Sequence, residues 1–187
     1  MISVSASTAE IARLGDRLLK AGKGARPAYS MAINRAAASA RAGMVRSLAK
    51  QTGLKVRTVT KALRRKNSTA ATLSAEIRSA GGDIALKYFS PKETPAGVSA
   101  APFGKRSVFA GTFMKGGRFP KRVSLNMGGH VFKRTGKGRG PIKLVKSGVI
   151  IPEQMIEGET RATFYRLVES ELPKRLLHEL GRRLGSA

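Results

Sequence analysis

The chain has 187 residues, which is enough for one domain with a hydrophobic core of its own. It contains no Cys, which excludes disulfides, thiolate nucleophiles and Cys-based zinc sites. Its 36 Lys and Arg residues outnumber its 11 Asp and Glu residues, and a compact monomer with this net charge of +25 repels itself. The composition therefore favours a binding or assembly protein with a negatively charged partner over an enzyme.

Nearly all of the net charge lies in two segments. Residues 31–66 carry ten Lys and Arg with no acidic residue, and residues 101–148 carry twelve with none. A solvent-exposed face normally mixes both signs of charge. The segments therefore predict contact with a polyanion or with an acidic protein.

No segment is apolar over the roughly 18 residues that a membrane-spanning helix needs. The first residues also lack the basic start and apolar run of a signal peptide. We therefore expect no membrane partner, and a protein that starts in the cytoplasm of the cell that makes it.

The first predicted element is a short amphipathic helix over residues 7–20. Ser7 and Glu10 have the spacing of a capping box, and the glycines at positions 22 and 24 end the helix. Its apolar stripe is a candidate subunit interface and consists of Ile11, Leu14 and Leu18.

A long Ala-rich helix is predicted from Pro27 to about Gln51, and further helical turns follow Gly53 and run on to Lys66. Within this region, residues 48–65 have the spacing of a helix-turn-helix, although many folds that do not bind DNA share it. The second helix would point Lys55, Arg57, Thr58 and Lys61 outward. The predicted buried stripe of the long helix is Ile33, Ala37, Ala40, Met44 and Leu48.

The character of the sequence changes at Asn67, where short strands are predicted. Alternating apolar residues over 73–77 and 84–88 predict two strands joined by a tight turn at Gly81 and Gly82. Residues 90–104 contain three prolines and predict a long loop that serves as an interaction element. Further short strands are predicted around 108–113, 123–125, 131–132 and 142–145.

The chain becomes helical again from about Thr160, and Pro173 is expected to kink or divide this helix. Leu176 and Leu180 on it are candidate interface residues. The order of elements predicts an α+β fold in which a long N-terminal and a C-terminal helix pack on a small, mainly antiparallel sheet with extended basic loops. We divide this single domain into an N-terminal helical arm (1–24), a helical basic segment (25–66), a β-rich region (67–152) and the C-terminal helix (153–187).

Catalytic and metal-binding arrangements do not emerge from the sequence. The histidines, His130 and His178, lack Cys or a suitably spaced His partner, so neither indicates a metal site. The acid-free segments cannot supply paired carboxylates for acid–base chemistry. We therefore expect no enzyme activity, no metal and no cofactor.

The glycine-rich turn over residues 136–140 could form a backbone nest for phosphate. It is not a P-loop, because Val131 stands where the first glycine of that motif should be. A flexible, solvated turn is the alternative interpretation. Basic residues without interleaved aromatics favour phosphate contact over base stacking. The candidate nucleic-acid-facing residues are Lys133, Arg134, Lys137, Arg139, Lys143, Lys146, Arg57, Lys61, Arg64, Arg65 and Lys66.

Residues 28–65 resemble the minor tail protein Z family of tailed bacteriophages, with MAINRAA (31–37) as the centre of the match. Three later segments agree in order: HVFKR (130–134), RGPIKLVK (139–146) and ELPKRLLHEL (171–180). The resemblance implies a structural virion protein at the head-proximal end of the tail, which completes the tail so that it can join the head.

The resemblance also implies a location and partners. The protein would be assembled in the host cytoplasm and reside in the tail or neck of the virion. Its partners would be tail terminator or tube proteins and head–tail connector proteins. Related joining proteins form rings, so we expect a homo-oligomeric ring around the DNA conduit that contacts the DNA backbone.

Two other interpretations remain open at this point. One is a regulator that reads a specific DNA site with residues 48–65. The other is a ribosome-associated or other RNA-binding basic protein, which the charge would suit. The mixed charges of the C-terminal helix argue mildly against RNA binding, because such a helix is typical of a protein contact.

Overall fold

The computed structural model describes residues 2–4, 25–138 and 140–184, and it shows an α+β fold as the sequence predicts. Small antiparallel sheets surround a pair of long helices, where a single sheet was expected. The predicted helix over residues 7–20 lies outside the described residues. Within the described part of the chain, no helix has the length and apolar character that crossing a membrane requires.

The helices α1 (Ala25–Thr52) and α4 (Gly158–Leu184) run antiparallel to each other. At one end Thr160 donates its hydroxyl hydrogen to Gln51 Oε1 at 3.0 Å, and at the other Arg35 Nε lies 2.9 Å from Glu179 Oε1. These contacts, on opposite ends of both helices, show that the pair stays in contact over most of its length.

The buried face of α1 is built largely from alanine. Ala32, Ala36 and Ala40 are fully or almost fully buried, and Met44 and Leu48 continue the row at the same four-residue spacing. Small side chains let the backbone of α4 approach closely. The predictions for Ala40, Met44 and Leu48 are confirmed.

In the first half of α1, the buried residues lie about one position away from those of the predicted stripe. Ile33 and Ala37 are only half-buried, and Ala36 takes the central place. An Ala-rich helix has little contrast between its faces, so composition alone could not fix the orientation of this part.

The helix α4 is continuous through Pro173, so the proline does not divide it in two. Leu172 and Leu176, on either side of the proline, are buried in the core. An interior proline costs roughly 3 kcal/mol, and the burial of apolar side chains along the whole helix offsets that cost. The short helix α3 (Ile151–Met155) precedes α4.

The predicted helical segment ends earlier than expected. The helix α2 covers only Val56–Ala62, and the chain then forms strand β2 (Leu63–Lys66). The guanidinium of Arg41 donates to the carbonyl oxygens of Thr60 and Leu63 at 2.7–2.9 Å. It thereby satisfies backbone groups at the end of α2 that a continuing helix would have used itself.

Strands β1 (Ile2–Val4) and β2 both pair with β3 (Glu76–Ser79), whereas β4 (Asp83–Ala85) pairs with β13 (Lys146–Ile150). The hairpin predicted between residues 73 and 88 is therefore wrong. Asp83 explains the pairing of β4, because its carboxylate accepts hydrogen bonds from the backbone N–H groups of Ser147 and Gly148.

The Pro-rich segment 90–104 is not the long loop that was predicted. It contains strands β5 (Lys92–Thr94) and β6 (Gly97–Ala100), and every residue of β6 is buried. The prolines lie outside the strands, which is where a residue without a backbone donor is tolerated. Strands β5 and β6 form one sheet with β7 (Ser107–Ala110), in the order β5-β6-β7.

Of the remaining strands, β8, β10, β11 and β12 overlap the predicted short apolar segments, whereas β9 was not predicted. A three-stranded sheet has the order β12-β11-β8, and a two-stranded one consists of β10 and β9. Their bounds are β8 Thr112–Phe113, β9 Lys115–Gly116, β10 Val123–Ser124, β11 Phe132–Arg134 and β12 Ile142–Leu144.

We expect Leu48→Ala to lower the free energy of unfolding by about 2–5 kcal/mol, because it leaves a cavity at a fully buried site. Urea denaturation followed by circular dichroism measures the change. Leu177→Ala is the matched control, since Leu177 on α4 is 68% exposed. Equal effects of the two substitutions would show that α1 is not packed in this way.

A second prediction concerns Gly43 on α1, which lies against side chains of α4. A Cβ added there would lie 2.2 Å from Leu167 Cδ1 and 3.0 Å from Thr163 Cγ2. We expect Gly43→Leu to cost about 1–3 kcal/mol through overpacking. Gly181→Leu makes the same change in open space on α4, and thermal melts should show it to be much milder.

Candidate nucleic-acid interface

The basic residues of the acid-free segments differ in their partners within the chain, and two of them, Arg35 and Arg122, form ion pairs with carboxylates. Because carboxylates are scarce there, several arginines donate to backbone carbonyl oxygens instead. Lysines and a few arginines remain exposed without such bonds. The arginines bound to carbonyls are Arg26, Arg41, Arg65, Arg106 and Arg134.

Strands β11 and β12 form a hairpin on which Lys133 lies directly opposite Lys143. Directly opposed residues of an antiparallel pair lie on the same face, with Cβ atoms about 5 Å apart. Both side chains are exposed, and neither forms an ion pair with any carboxylate that the structure describes. This pair is therefore a concentration of positive charge that the described part of the chain does not neutralise.

A groove of about 490 Å³ runs beside this hairpin. Its acidic residue, Asp83, accepts hydrogen bonds from the backbone N–H groups of Ser147 and Gly148, and this one carboxylate offsets only part of the charge of the four basic residues of the groove. We call this surface the lysine groove. Its lining residues are Asp83, Lys133, Arg134, Thr135, Lys143, Leu144, Val145 and Lys146.

The predicted glycine-rich turn forms the tip of the same hairpin. The backbone N–H and the hydroxyl of Thr135 both donate to Pro141 O, at 3.2 and 2.8 Å, and close the turn. Lys137 is exposed at the tip, whereas Arg139 lies outside the described residues.

Arg134 differs from its lysine neighbours in having partners within the chain. Its guanidinium lies 5.3 Å from the centre of the Phe113 ring and donates weakly to Gly138 O at 3.4 Å. Because strand residues alternate between faces, Arg134 and Lys133 point to opposite sides of β11. Arg134 therefore supports the hairpin and is less free than Lys133 to bind a ligand.

The other predicted basic residues form a second surface on α2 and β2. Arg57, Lys61, Arg64 and Lys66 are exposed. Arg65 instead donates to Asn34 O on α1 at 3.0 Å. A groove of about 630 Å³ lies here, lined by Ala38, Arg41, Thr60, Lys61, Leu63, Arg64, Arg65 and Asn67.

Strand β2 also carries an opposed pair, Arg64 against Arg78 of β3. Unlike the lysine pair, this one has a carboxylate beside it, because Arg78 forms an ion pair with Glu76. Each surface therefore has one carboxylate close to it, Glu76 at the α2 and β2 surface and Asp83 at the lysine groove.

The geometry gives the helix-turn-helix interpretation little support. The second helix has only seven residues, and Arg64 and Arg65, the last two residues of the predicted motif, lie on a strand. The turn itself is present, since Gly53 has a φ of 75° and a Cβ there would lie 2.7 Å from Ala101 O.

The predicted interface residues of the C-terminal helix need correction. Leu176 and Leu180 are 1% and 5% exposed because they pack into the chain's own core, so they present no surface to a second subunit. The apolar stripe of α4 therefore packs into the core of the chain. The other predicted interface residues, Ile11, Leu14 and Leu18, lie outside the described residues.

Comparison with known proteins decides the family. The sequence model of prophage minor tail protein Z (GPZ) matches residues 17–186, which is nearly the whole chain. The chain belongs to the prophage minor tail protein Z family. No curated protein and no solved structure matches it.

Membership of the minor tail protein Z family confirms the resemblance seen in the sequence. It makes the chain a minor tail protein of a bacteriophage, and places it among the virion proteins of the tail. The family is one of structural tail proteins. Within the described residues, no group of His, Asp and Glu side chains could hold a metal ion.

One polar cluster of this minor tail protein was missed in the sequence analysis. Glu93 Oε1 accepts hydrogen bonds from Met114 N–H at 3.0 Å, Lys115 N–H at 3.1 Å and Arg122 Nη1 at 2.8 Å. We call this cluster the Glu93 clamp. The signal in the sequence was present, since Glu93 is the only acidic residue between Asp83 and Glu153.

The clamp also sets the protonation of Glu93. Partial burial acts to raise the pKa, but hydrogen bonds from the Met114 amide, the Arg122 side chain and the Lys115 amide act against it. Together with the charge of Arg122, they outweigh burial and hold the pKa of Glu93 below its ordinary value of 4.5. The carboxylate is thus ionised and bound in the folded protein.

We expect Glu93→Gln to destabilise the protein at neutral pH by about 1–3 kcal/mol, because three donors, two of them in part-buried hydrogen bonds, lose a charged acceptor. Because the pKa of Glu93 is lower in the folded protein than its ordinary value, the ionised carboxylate stabilises the fold above about pH 4.5. This stabilisation is lost as the pH falls through the pKa of Glu93 in the folded protein. The difference between wild type and variant should therefore shrink on acidification, as measured by urea denaturation at neutral pH and at about pH 3. Glu169→Gln, at an exposed site, should show no comparable pH-dependent difference.

Proposed function

We propose that this chain is a tail-completion protein that acts in joining the tail to the head, and that it contacts DNA through the phosphate backbone. Its partners in this proposal are the tail terminator or tube proteins and the head–tail connector proteins, with assembly in the host cytoplasm. The opposed pair of Lys133 and Lys143 carries the DNA part of the proposal.

Electrostatics supports an anionic ligand at the lysine groove. Like charges directly opposite each other on a sheet destabilise it. Lys146 adds a third exposed ammonium group at the same groove. A phosphate bound between these residues would attract each ammonium group and so offset the repulsion between them.

The groove also has the chemistry of a site that does not read base sequence. Its residues are lysines, one arginine, a threonine and aliphatic residues, and it has no aromatic side chain on which a base could stack. Lysine binds phosphate as a point charge, without the paired geometry with which arginine recognises guanine. Such a surface suits a conduit that must pass DNA of any sequence.

The charge further supports assembly that depends on a partner. Protomers that each carry +25 repel one another, so a closed ring should form poorly until DNA or an acidic tail protein neutralises them. The proposed ring around the DNA conduit is therefore a product of tail assembly and not of the isolated chain.

To test the proposal, we would replace Lys133, Lys143 and Lys146 by Gln together. Because the three side chains are exposed and Gln removes the repulsion between Lys133 and Lys143, we expect the melting temperature to stay the same or rise slightly. Binding to random-sequence duplex DNA should weaken, and the slope of log K against log salt should fall by up to about 2.7, or roughly 0.9 per lost phosphate contact. In the phage, fewer joined and infectious particles should form, while tail length should stay normal.

The control variant replaces Lys92, Lys105 and Lys174 by Gln, which removes the same charge from exposed sites outside the groove. Equal losses in both variants would mean that only total charge matters. An unchanged salt slope together with normal infectivity would remove the lysine groove from the conduit and leave the α2 and β2 surface as the candidate. Footprinting that protects one defined sequence would instead favour a regulator.

A further inference from the structure

The hairpin of β9 and β10 and the residues after it expose an unusual number of large apolar side chains. Phe119 is 45% exposed, Val123 is 73% exposed and Met127 is 43% exposed. They lie within nine residues of one another in a protein with few aromatics. Clustered exposed apolar groups mark surfaces that bind other proteins, whereas single ones are ordinary.

The same hairpin is rimmed by exposed positive charge. Lys115, Arg118 and Lys121 are all exposed, and they form no ion pair with any described carboxylate. An apolar centre with a charged rim is the usual anatomy of a protein–protein interface. The sign of the rim requires an acidic partner surface.

The hairpin is also fixed to the body of the protein. The Glu93 clamp holds both strands, because it binds the Lys115 amide on β9 and the Arg122 side chain next to β10. Leu125 packs onto Gly116, where an added Cβ would lie 2.9 Å from Leu125 Cδ2. A two-stranded hairpin has only marginal stability on its own. These contacts therefore hold the hairpin in one conformation before a partner binds.

We propose that the β9–β10 hairpin is a docking element for another virion protein, whose surface offers an apolar pocket rimmed by carboxylates. DNA is a poor occupant, because phosphates cannot cover Val123 or Phe119. A second copy of the chain is also a poor occupant, because it carries the same large positive charge. The proposal rests on membership of the tail protein family and is independent of the proposed DNA contact.

The test uses tails purified from a phage that cannot make this protein, and measures how much added protein co-sediments with them. We expect Phe119→Ser with Val123→Ser to lower the affinity for these tails at least tenfold. Arg118→Glu with Lys121→Glu should do the same through charge reversal. Both variants should keep wild-type thermal melts, because all four side chains are exposed.

The matched control is Val56→Ser with Val108→Ser, since these valines are 54% and 51% exposed at other sites. The control should bind tails normally, and the Phe119→Ser with Val123→Ser variant, which keeps the charge, should keep wild-type affinity for duplex DNA. Wild-type tail binding by either hairpin variant would overturn the proposal. So would an equal loss in the control, or a homo-oligomer of the pure protein that the hairpin substitutions dissolve.

Discussion

The antiparallel contact between α1 and α4 is the constraint on which the rest of the structure depends. It joins residues from the two ends of the chain through a row of alanines on α1 and larger side chains on α4. Glu179 is fully buried in this contact and is bound by Arg35 and Arg182 at 2.9 and 3.0 Å. A buried carboxylate is tolerated only with such partners, so the ion pairs help to fix how the helices align.

The scarcity of acidic residues is the second constraint, and it determines how the fold is held together. Glu179 aligns the long helices, Glu93 holds the β9–β10 hairpin and Asp83 fixes β4 against β13. Because these carboxylates already bind other groups of the chain, arginines such as Arg41 and Arg65 donate to backbone carbonyl oxygens. The exposed lysines are thus left for contacts outside the chain.

The sequence predicted the positions of helices and strands better than it predicted which of them contact one another. The long helices follow from local periodicity, but the pairing of β3 with β1 and of β4 with β13 depends on residues far apart in sequence. On strand β2, the alternation of side chains between faces separates Arg64 from Arg65, which donates to Asn34 O, and the sequence alone does not show which of the two has this partner. Likewise, an apolar stripe cannot distinguish a core contact from a subunit contact, which is why Leu176 and Leu180 were assigned to an interface.

The two proposed surfaces differ in chemistry in a way that suggests an order of assembly. The hairpin combines apolar groups with charge, so its binding to an acidic protein would retain apolar contacts when salt screens the charges. The lysine groove offers charge with little apolar surface, so its binding to DNA would weaken steeply with salt. Docking of the hairpin on an acidic tail protein would also lower the repulsion between protomers. DNA would then meet lysine grooves that the tail has already brought close together, and multivalent contact would compensate for weak individual binding.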